Sequence, residues 1–274
     1  DQSGYGIAAK GALTAPYSRV FGVFVNPSSN AAFARPEVRE ALSLAIDRDS
    51  LVQKALGGYA TPIMGPVPPD SGIAPTPVPQ SNDPVADAAA VLKAAGWTYD
   101  ASARQWTLAS QKLTLSVTLK TSTDQTTRLL AMVLQQQLRA AGIRLEIRSS
   151  EFGTFYSDVT RGIFQMYVLK WIGSNEDPDI FRYAYDSNSF PPKGGNRGHY
   201  SNSQVDALLA AAAADSNQAT RRTDYVDVQK ILSLDLPSIP LWYPNNEVIH
   251  TRRIEGVKPD ESGSFNFLRG AWVR

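Results

Sequence analysis

Residues 113–148 read LTLSVTLKTSTDQTTRLLAMVLQQQLRAAGIRLEIR. Leu113, Leu115, Val117 and Leu119 alternate with Thr114, Ser116 and Thr118, the two-residue period of a strand with one buried face. Ser122 and Gln125 have the spacing of a capping box, and the helix they open carries Leu130, Val133, Leu134 and Leu138 on one stripe before Gly142 closes it. Ile143, Leu145 and Ile147 then alternate with Arg144, Glu146 and Arg148. A strand, an amphipathic helix and a second strand in this order predict a right-handed parallel crossover, and with it an α/β layer architecture.

Upstream, Val20-Phe21-Gly22-Val23-Phe24-Val25 reads as a buried strand ended by Asn26-Pro27. Pro36 opens a helix with Val38, Ala41, Leu42 and Ala45 on one face, and a shorter helix from about Asp49 to Leu56 stops at Gly57-Gly58. Eight prolines between residues 61 and 84 predict an extended surface connection, after which Asp83-Pro84 caps a helix with Val85, Ala88, Ala89 and Leu92 inward. Trp97 and Trp106 flank a polar turn.

Downstream, a helix from about Phe152 to Arg161 precedes a strand from Gln165 to Trp171, which runs into Ile172-Gly173-Ser174-Asn175-Glu176-Asp177-Pro178. A short helix from Pro178 to about Tyr185 follows, with Asp177 as its cap. Two amphipathic helices bury Val205, Leu208, Leu209 and Ala212, then Tyr225, Val228 and Leu232. Ile239 to Tyr243 and Glu247 to Thr251 read as two short strands around Pro244-Asn245-Asn246.

The chain has 274 residues, with 43% hydrophobic content, 19 Gly, 18 Pro and no Cys, which excludes disordered, collagen-like and disulfide-stapled classes. A formal charge of +1 without a long basic run argues against a nucleic-acid surface. Apolar stretches such as Val20 to Val25 are far shorter than the ~20 residues that cross a bilayer, so no membrane span is expected. Asp1-Gln2-Ser3-Gly4 carries neither an initiator Met nor a secretory signal, so a processed protein or an excised piece is expected.

Signals for covalent chemistry are weak. No Gly-x-Ser-x-Gly elbow is present, and cysteine catalysis is impossible. His199 and His250 lie in different elements and lack partners at metal-ligand spacing. Gly6 to Gly11 has the outer spacing of a phosphate loop, but Ala12-Leu13 stands where Lys and Ser or Thr are needed. Neither a cofactor nor a metal is expected. Glu176, Asp177 and Asp179 suit paired acids, calcium ligands or a helix cap, and the first-turn position favours the cap. Trp171 ends a central strand just before a polar loop, where α/β proteins place ligand sites, although core packing explains a tryptophan there equally well.

Pro36-Glu37-Val38-Arg39-Glu40-Ala41-Leu42 with Ala45-Ile46-Asp47-Arg48 and Leu51-Val52 resembles the helix pair of the family 5 extracellular solute-binding proteins. Asn26, ahead of that helix pair, also fits, and Gly57-Gly58-Tyr59-Ala60-Thr61-Pro62 with Gly65-Pro66-Val67-Pro68-Pro69, and Trp171-Ile172-Gly173 with Asp177-Pro178-Asp179 are similar to later family segments. Tyr200-Ser201-Asn202, Val205 to Leu209, Gln229 to Leu232 and Leu236 to Leu241 complete the order over about residues 20 to 257.

The resemblance implies a mixed sheet flanked by helices, the C-terminal lobe of a two-lobed periplasmic-binding-protein-like (type II) fold. Residues 1–19 would be a crossover segment from a missing N-terminal lobe, 20–251 the ligand-binding lobe, and 252–274 a return segment. It also implies a non-enzymatic component of an ABC importer in the periplasm or outside the cell. Such a component captures a peptide or other small solute between two lobes and delivers it to the ABC transporter permease.

Trp171 would wall the pocket, Ile172 would flank it, Gly173 would allow close approach, and Ser174 and Asn175 would offer hydrogen bonds. Peptide-binding relatives place an aspartate at the position of Ser174 to pair with the peptide ammonium, and a serine hydroxyl cannot supply that charge-assisted bond. A hydrolase using carboxylates among Glu176, Asp177 and Asp179 is the rival from another class, and a protein-interaction module without a small ligand is a third reading.

Overall fold

A computed structural model describes residues 9–17, 19–67, 73, 81–172, 178–251, 253–259 and 264–274, with backbone alone at 9–12, 16, 171 and 172. In chain order the elements begin with β1 (Ala9–Pro16), β2 (Arg19–Val25), α1 (Pro36–Ala45), α2 (Arg48–Leu56), β3 (Ala60–Pro62) and α3 (Pro84–Ala94). A small three-stranded sheet follows, made of β4 (Thr98–Asp100), β5 (Gln105–Leu108) and β6 (Leu113–Thr114). Next come β7 (Ser116–Ser122), α4 (Gln125–Ala140), β8 (Arg144–Ser150), α5 (Phe152–Thr160), β9 (Met166–Ile172), α6 (Ile180–Tyr185), α7 (Ser203–Ala214) and α8 (Gln218–Asp235). The long β10 (Ser238–Thr251) precedes the short pair β11 (Ile254–Glu255) and β12 (Trp272–Val273).

The main sheet runs β1-β10-β2-β9-β7-β8, with β3 also on β10. β7 and β8 are parallel from Ser116↔Arg144 to Ser122↔Ser150, as the strand, helix, strand reading requires. β9 is parallel to β7 but antiparallel to β2, and β2 is antiparallel to β10, so the sheet is mixed.

Alternation divides the sheet into two buried faces. One packs Val23, Val117, Leu119 and Val168 against Val38, Leu42, Leu51 and Leu134 of the helices α1, α2 and α4. The other packs Phe24 and Tyr167, stacked at 4.9 Å, against Phe155 and Val159 of α5. A separate cluster around Phe181, Tyr185, Val205 and Tyr225 holds α6, α7 and α8 together. Arg39 joins it to α1, donating from Nε to the Asp235 carbonyl at 2.7 Å and from Nη1 to the Phe33 carbonyl at 2.6 Å.

Several local expectations need correction. The cap of α4 is Asp124, which accepts from Thr127 N at 2.9 Å, while Ser122 donates its hydroxyl to Asp124 instead of closing a capping box with Gln125. An ionised carboxylate is the stronger acceptor for an exposed helix N-terminus. Leu113-Thr114 pairs with β5 in the small sheet, and the main-sheet strand starts only at Ser116. Val85 is exposed on α3, since Ala88 and Leu92 alone reach the core fully.

β10 is one strand rather than two. Ser238–Trp242 finds β2, Trp242–Pro244 finds β3, and Asn245–Thr251 finds β1, so each part has a partner and Pro244 does not interrupt it. The Pro244 carbonyl accepts from Tyr17 N at 3.0 Å, which keeps the residue tied to the neighbouring strand end although proline has no N–H to donate. α6 starts at Ile180, two residues later than Pro178, and Asp179 precedes it without a side-chain capping bond. Asp177, the expected cap, lies outside the described residues.

Candidate ligand-binding site

The parallel strands β7, β8 and β9 end on one edge, at Ser122, Ser150 and Ile172. At two of these ends the polar groups are used locally. Asp124 caps α4, Glu151 accepts from Gly153 N at 2.8 Å to cap α5, and Thr121 and Ser149 share a 2.9 Å hydroxyl bond. The end of β9 differs. Among the described pairings β9 meets β7 only at Leu119↔Met166 and Lys120↔Tyr167, and its remaining residues keep β2 alone as neighbour, to Arg19↔Ile172. Strands that part at their carboxyl ends make the crevice in which open α/β sheets bind ligands.

Trp171 and Ile172 are the last two residues of β9, and Gly173, Ser174 and Asn175 lie outside the described residues. Trp171 stands opposite Val20 in register. Val20, Ile63 and Tyr243 form a small buried apolar cluster at that point, which gives the strand end an apolar floor.

The opposite face of the same strand end carries cations. Arg19 and Phe21 alternate along β2 opposite Ile172 and Lys170, so Arg19 and Lys170 share a face as diagonal neighbours. The Arg19 guanidinium lies over the Tyr17 ring, 4.2 Å from its centroid, and its Nε is buried without a hydrogen-bond partner. An unsatisfied buried donor costs about 1–3 kcal/mol. Next to Lys170, Phe21 stacks on Trp242 with centroids 4.9 Å apart.

Neither Arg19 nor Lys170 was picked out by sequence reasoning. A lysine inside the otherwise apolar run Met-Tyr-Val-Leu-Lys-Trp-Ile of β9 was the available signal.

The other candidates that are described make local contacts. Asp179 is paired with Arg182, Oδ1 to Nε at 3.3 Å, and Glu176 and Asp177 are outside the described residues. His199 stacks on Phe190 at 4.7 Å, and His250 Nδ1 sits 3.0 Å from its neighbour's carbonyl. Among the described residues no group of three or more His, Cys, Asp or Glu could hold a metal. Burial pushes the Tyr167 hydroxyl up, and Arg197 beside it works the other way. Together they border a cavity of about 10 Å³, room for a single water rather than a ligand. A cleft of about 540 Å³ opens between Pro178 and the start of α8, lined by Gln218, Arg221, Arg222 and Tyr225.

The family of bacterial extracellular solute-binding proteins, family 5 (middle region), matches residues 2–191. The chain belongs to this family. Family 5 membership agrees with the curated relatives, among them the glutathione-binding protein GsiB of Escherichia coli strain K12, 31% identical over 242 residues. That match covers 85% of this chain and 44% of the relative, so the chain spans less than half the length of the protein it resembles. In three dimensions the family 5 chain is similar to the oligopeptide-binding protein AppA of Bacillus subtilis, solved with a nonapeptide. The TM-score is 0.78 at 25% identity, covering 96% of this chain and 52% of AppA. It also shares the fold of NikA from Brucella suis, solved with Fe(III)-EDTA, at a TM-score of 0.82 and 20% identity, covering 96% of this chain and 53% of NikA. The fold is therefore that of type II periplasmic binding proteins, over about half of their length, with a mixed sheet and flanking helices.

Proposed function

We propose that this chain is the C-terminal ligand-binding lobe of the solute-binding component of an ABC importer, acting in the cell envelope and without catalysis of its own. The observation that carries the reading is the end of β9, where the strand parts from β7, ends on Trp171-Ile172 and is followed in sequence by Gly-Ser-Asn. Trp171 and Ile172 are assigned the apolar wall, Gly173 the close approach, and Ser174 and Asn175 the hydrogen bonds to a peptide or related small solute. Membership of a family of solute-binding proteins supports binding over hydrolysis, and the Asp179 ion pair with Arg182 leaves that acid engaged in the fold.

Residues 1–19 are assigned to the crossover from an N-terminal lobe and 252–274 to the return. The pairing of Ala9–Pro16 with Asn245–Thr251 supports this, since it runs the incoming and outgoing chain side by side. Closing two lobes on the solute buries it, and the closed form is what a membrane permease would recognise. Among the described residues no helix is long and apolar enough to cross a membrane.

Calorimetric titration of the full-length gene product against pooled peptides, and then against non-peptide solutes, tests the reading. Binding by the native protein that Trp171→Ala weakens at least tenfold, with the fold intact, is the expected result. Equal binding by native protein and variant would remove the site from the end of β9.

A further inference from the structure

We infer that Arg19 and Lys170 form a carboxylate-binding subsite at the end of β9, so that the solute is anchored by an acidic group rather than by an ammonium. This rests on the ligand-binding reading above and names the chemistry of the ligand.

Several cations in the fold have acidic partners, and the buried Arg39 and Arg48 donate to backbone carbonyls. Lys120 pairs with Asp158, Arg182 with Asp179, Arg148 with Glu146, Lys230 with Asp227 and Arg35 with Glu37. Among the described residues neither Arg19 nor Lys170 makes an ion pair, and the Arg19 Nε is buried with no acceptor. Burying a guanidinium N–H without an acceptor is costly, and the cost is recovered when an anion arrives.

Placement favours a ligand as that anion. Arg19 is the register partner of Ile172, the residue just before the loop, and Lys170 lies diagonally across the same pair of strands. Diagonal neighbours on antiparallel strands are about 7–8 Å apart, a span that two long cationic side chains close around one carboxylate. Stacking on Tyr17 restrains the Arg19 guanidinium, and a restrained planar fork loses less freedom when it binds a carboxylate through two parallel N–H bonds. The Phe21 and Trp242 rings beside Lys170 exclude water from one side, which strengthens attraction between opposite charges.

Arg19 and Lys170 share one face of the sheet, whereas Trp171 stands in register with Val20 of the other.

The test uses full-length protein stripped of ligand and titrated by calorimetry with glutathione, trialanine, glutathione diethyl ester and trialanine amide. The free acids should bind at least about tenfold more tightly than the ester or amide. Arg19→Gln should abolish that preference with the melting temperature retained, Arg19→Lys should keep part of it, and Lys170→Gln should reduce it. Lys170 is only half-buried, so its variant carries the same test if Arg19→Gln does not fold.

Equal affinity for acid and amide, with binding still lost in Trp171→Ala, would overturn the carboxylate anchor and leave the solute-binding site standing. A preference for acids that survives both Arg19→Gln and Lys170→Gln would also overturn it. Failure of every acid and every derivative to bind would sink the anchor together with the assignment of the site.

Discussion

Arg48 shows how a single side chain can fasten a connection. It is 1% exposed and donates to the carbonyls of Pro240 at 2.8 Å and of Ser43 and Ile46 at 3.2 Å, and to the Ser43 hydroxyl at 3.1 Å. It therefore ties the turn between α1 and α2 to β10. Burial pulls its pKa down to about 10, so it stays charged at neutral pH. The unfolded chain holds this proton more tightly than the folded one, so charge on Arg48 opposes folding at neutral pH, and that opposition is relieved as pH rises through about 10. Its hydrogen bonds act the other way, and removing them strands buried carbonyls. Arg48→Ala should lower stability by about 2–4 kcal/mol, read as a shift in the urea midpoint. The sequence showed Asp47-Arg48 at a helix start but gave no reason to bury the arginine, because its acceptor on Pro240 is 192 positions away.

At the scale of the element, local pattern carried most of the reading. The α4 stripe of Leu130, Val133, Leu134 and Leu138 is buried as its spacing requires, and Gly142 takes a φ of +74° that a side chain would resist. A Cβ there would also stand 2.4 Å from the Tyr99 ring, so Gly142→Ala should cost about 1–3 kcal/mol in thermal or urea unfolding. The α4 cap was misread by two residues because Ser122 and Asp124 are both good caps, and only the backbone path decides between them.

Burial works to raise the Asp124 carboxyl, but bonds from Ser122 and Thr127 hold it below its ordinary value. Its contribution is present above the usual carboxylate pKa and is lost as pH falls through the lower folded value. Asp124→Ala should cost about 1 kcal/mol at pH 7, and the difference from native protein should shrink below about pH 4, as chemical denaturation at both pH values would show. β10 was split in two on the sequence because Pro244-Asn245-Asn246 is turn chemistry, and its partners lie far away in the chain.

For the whole molecule, the α/β class followed from one strand, helix and strand and the mixed sheet from the family resemblance, but the strand order did not, since it depends on which distant edges meet. The candidate site was legible as Trp171 and its loop. The cations beside it were not, because only the register Arg19↔Ile172 brings residue 19 to residue 172. If two lobes close on a solute, small-angle scattering of the full-length protein should show a smaller radius of gyration on saturation with a bound solute, and an unchanged radius would count against closure.

Ala9 stands opposite Thr251, so the polypeptide between them leaves the sheet where it came in. In genetic terms that stretch is a cassette. Neighbouring ends are what single-point insertion and circular permutation need, so splicing residues 9–251 into a host's surface loop, or joining 9 to 251 by a short linker and cutting elsewhere, should leave the sheet order intact.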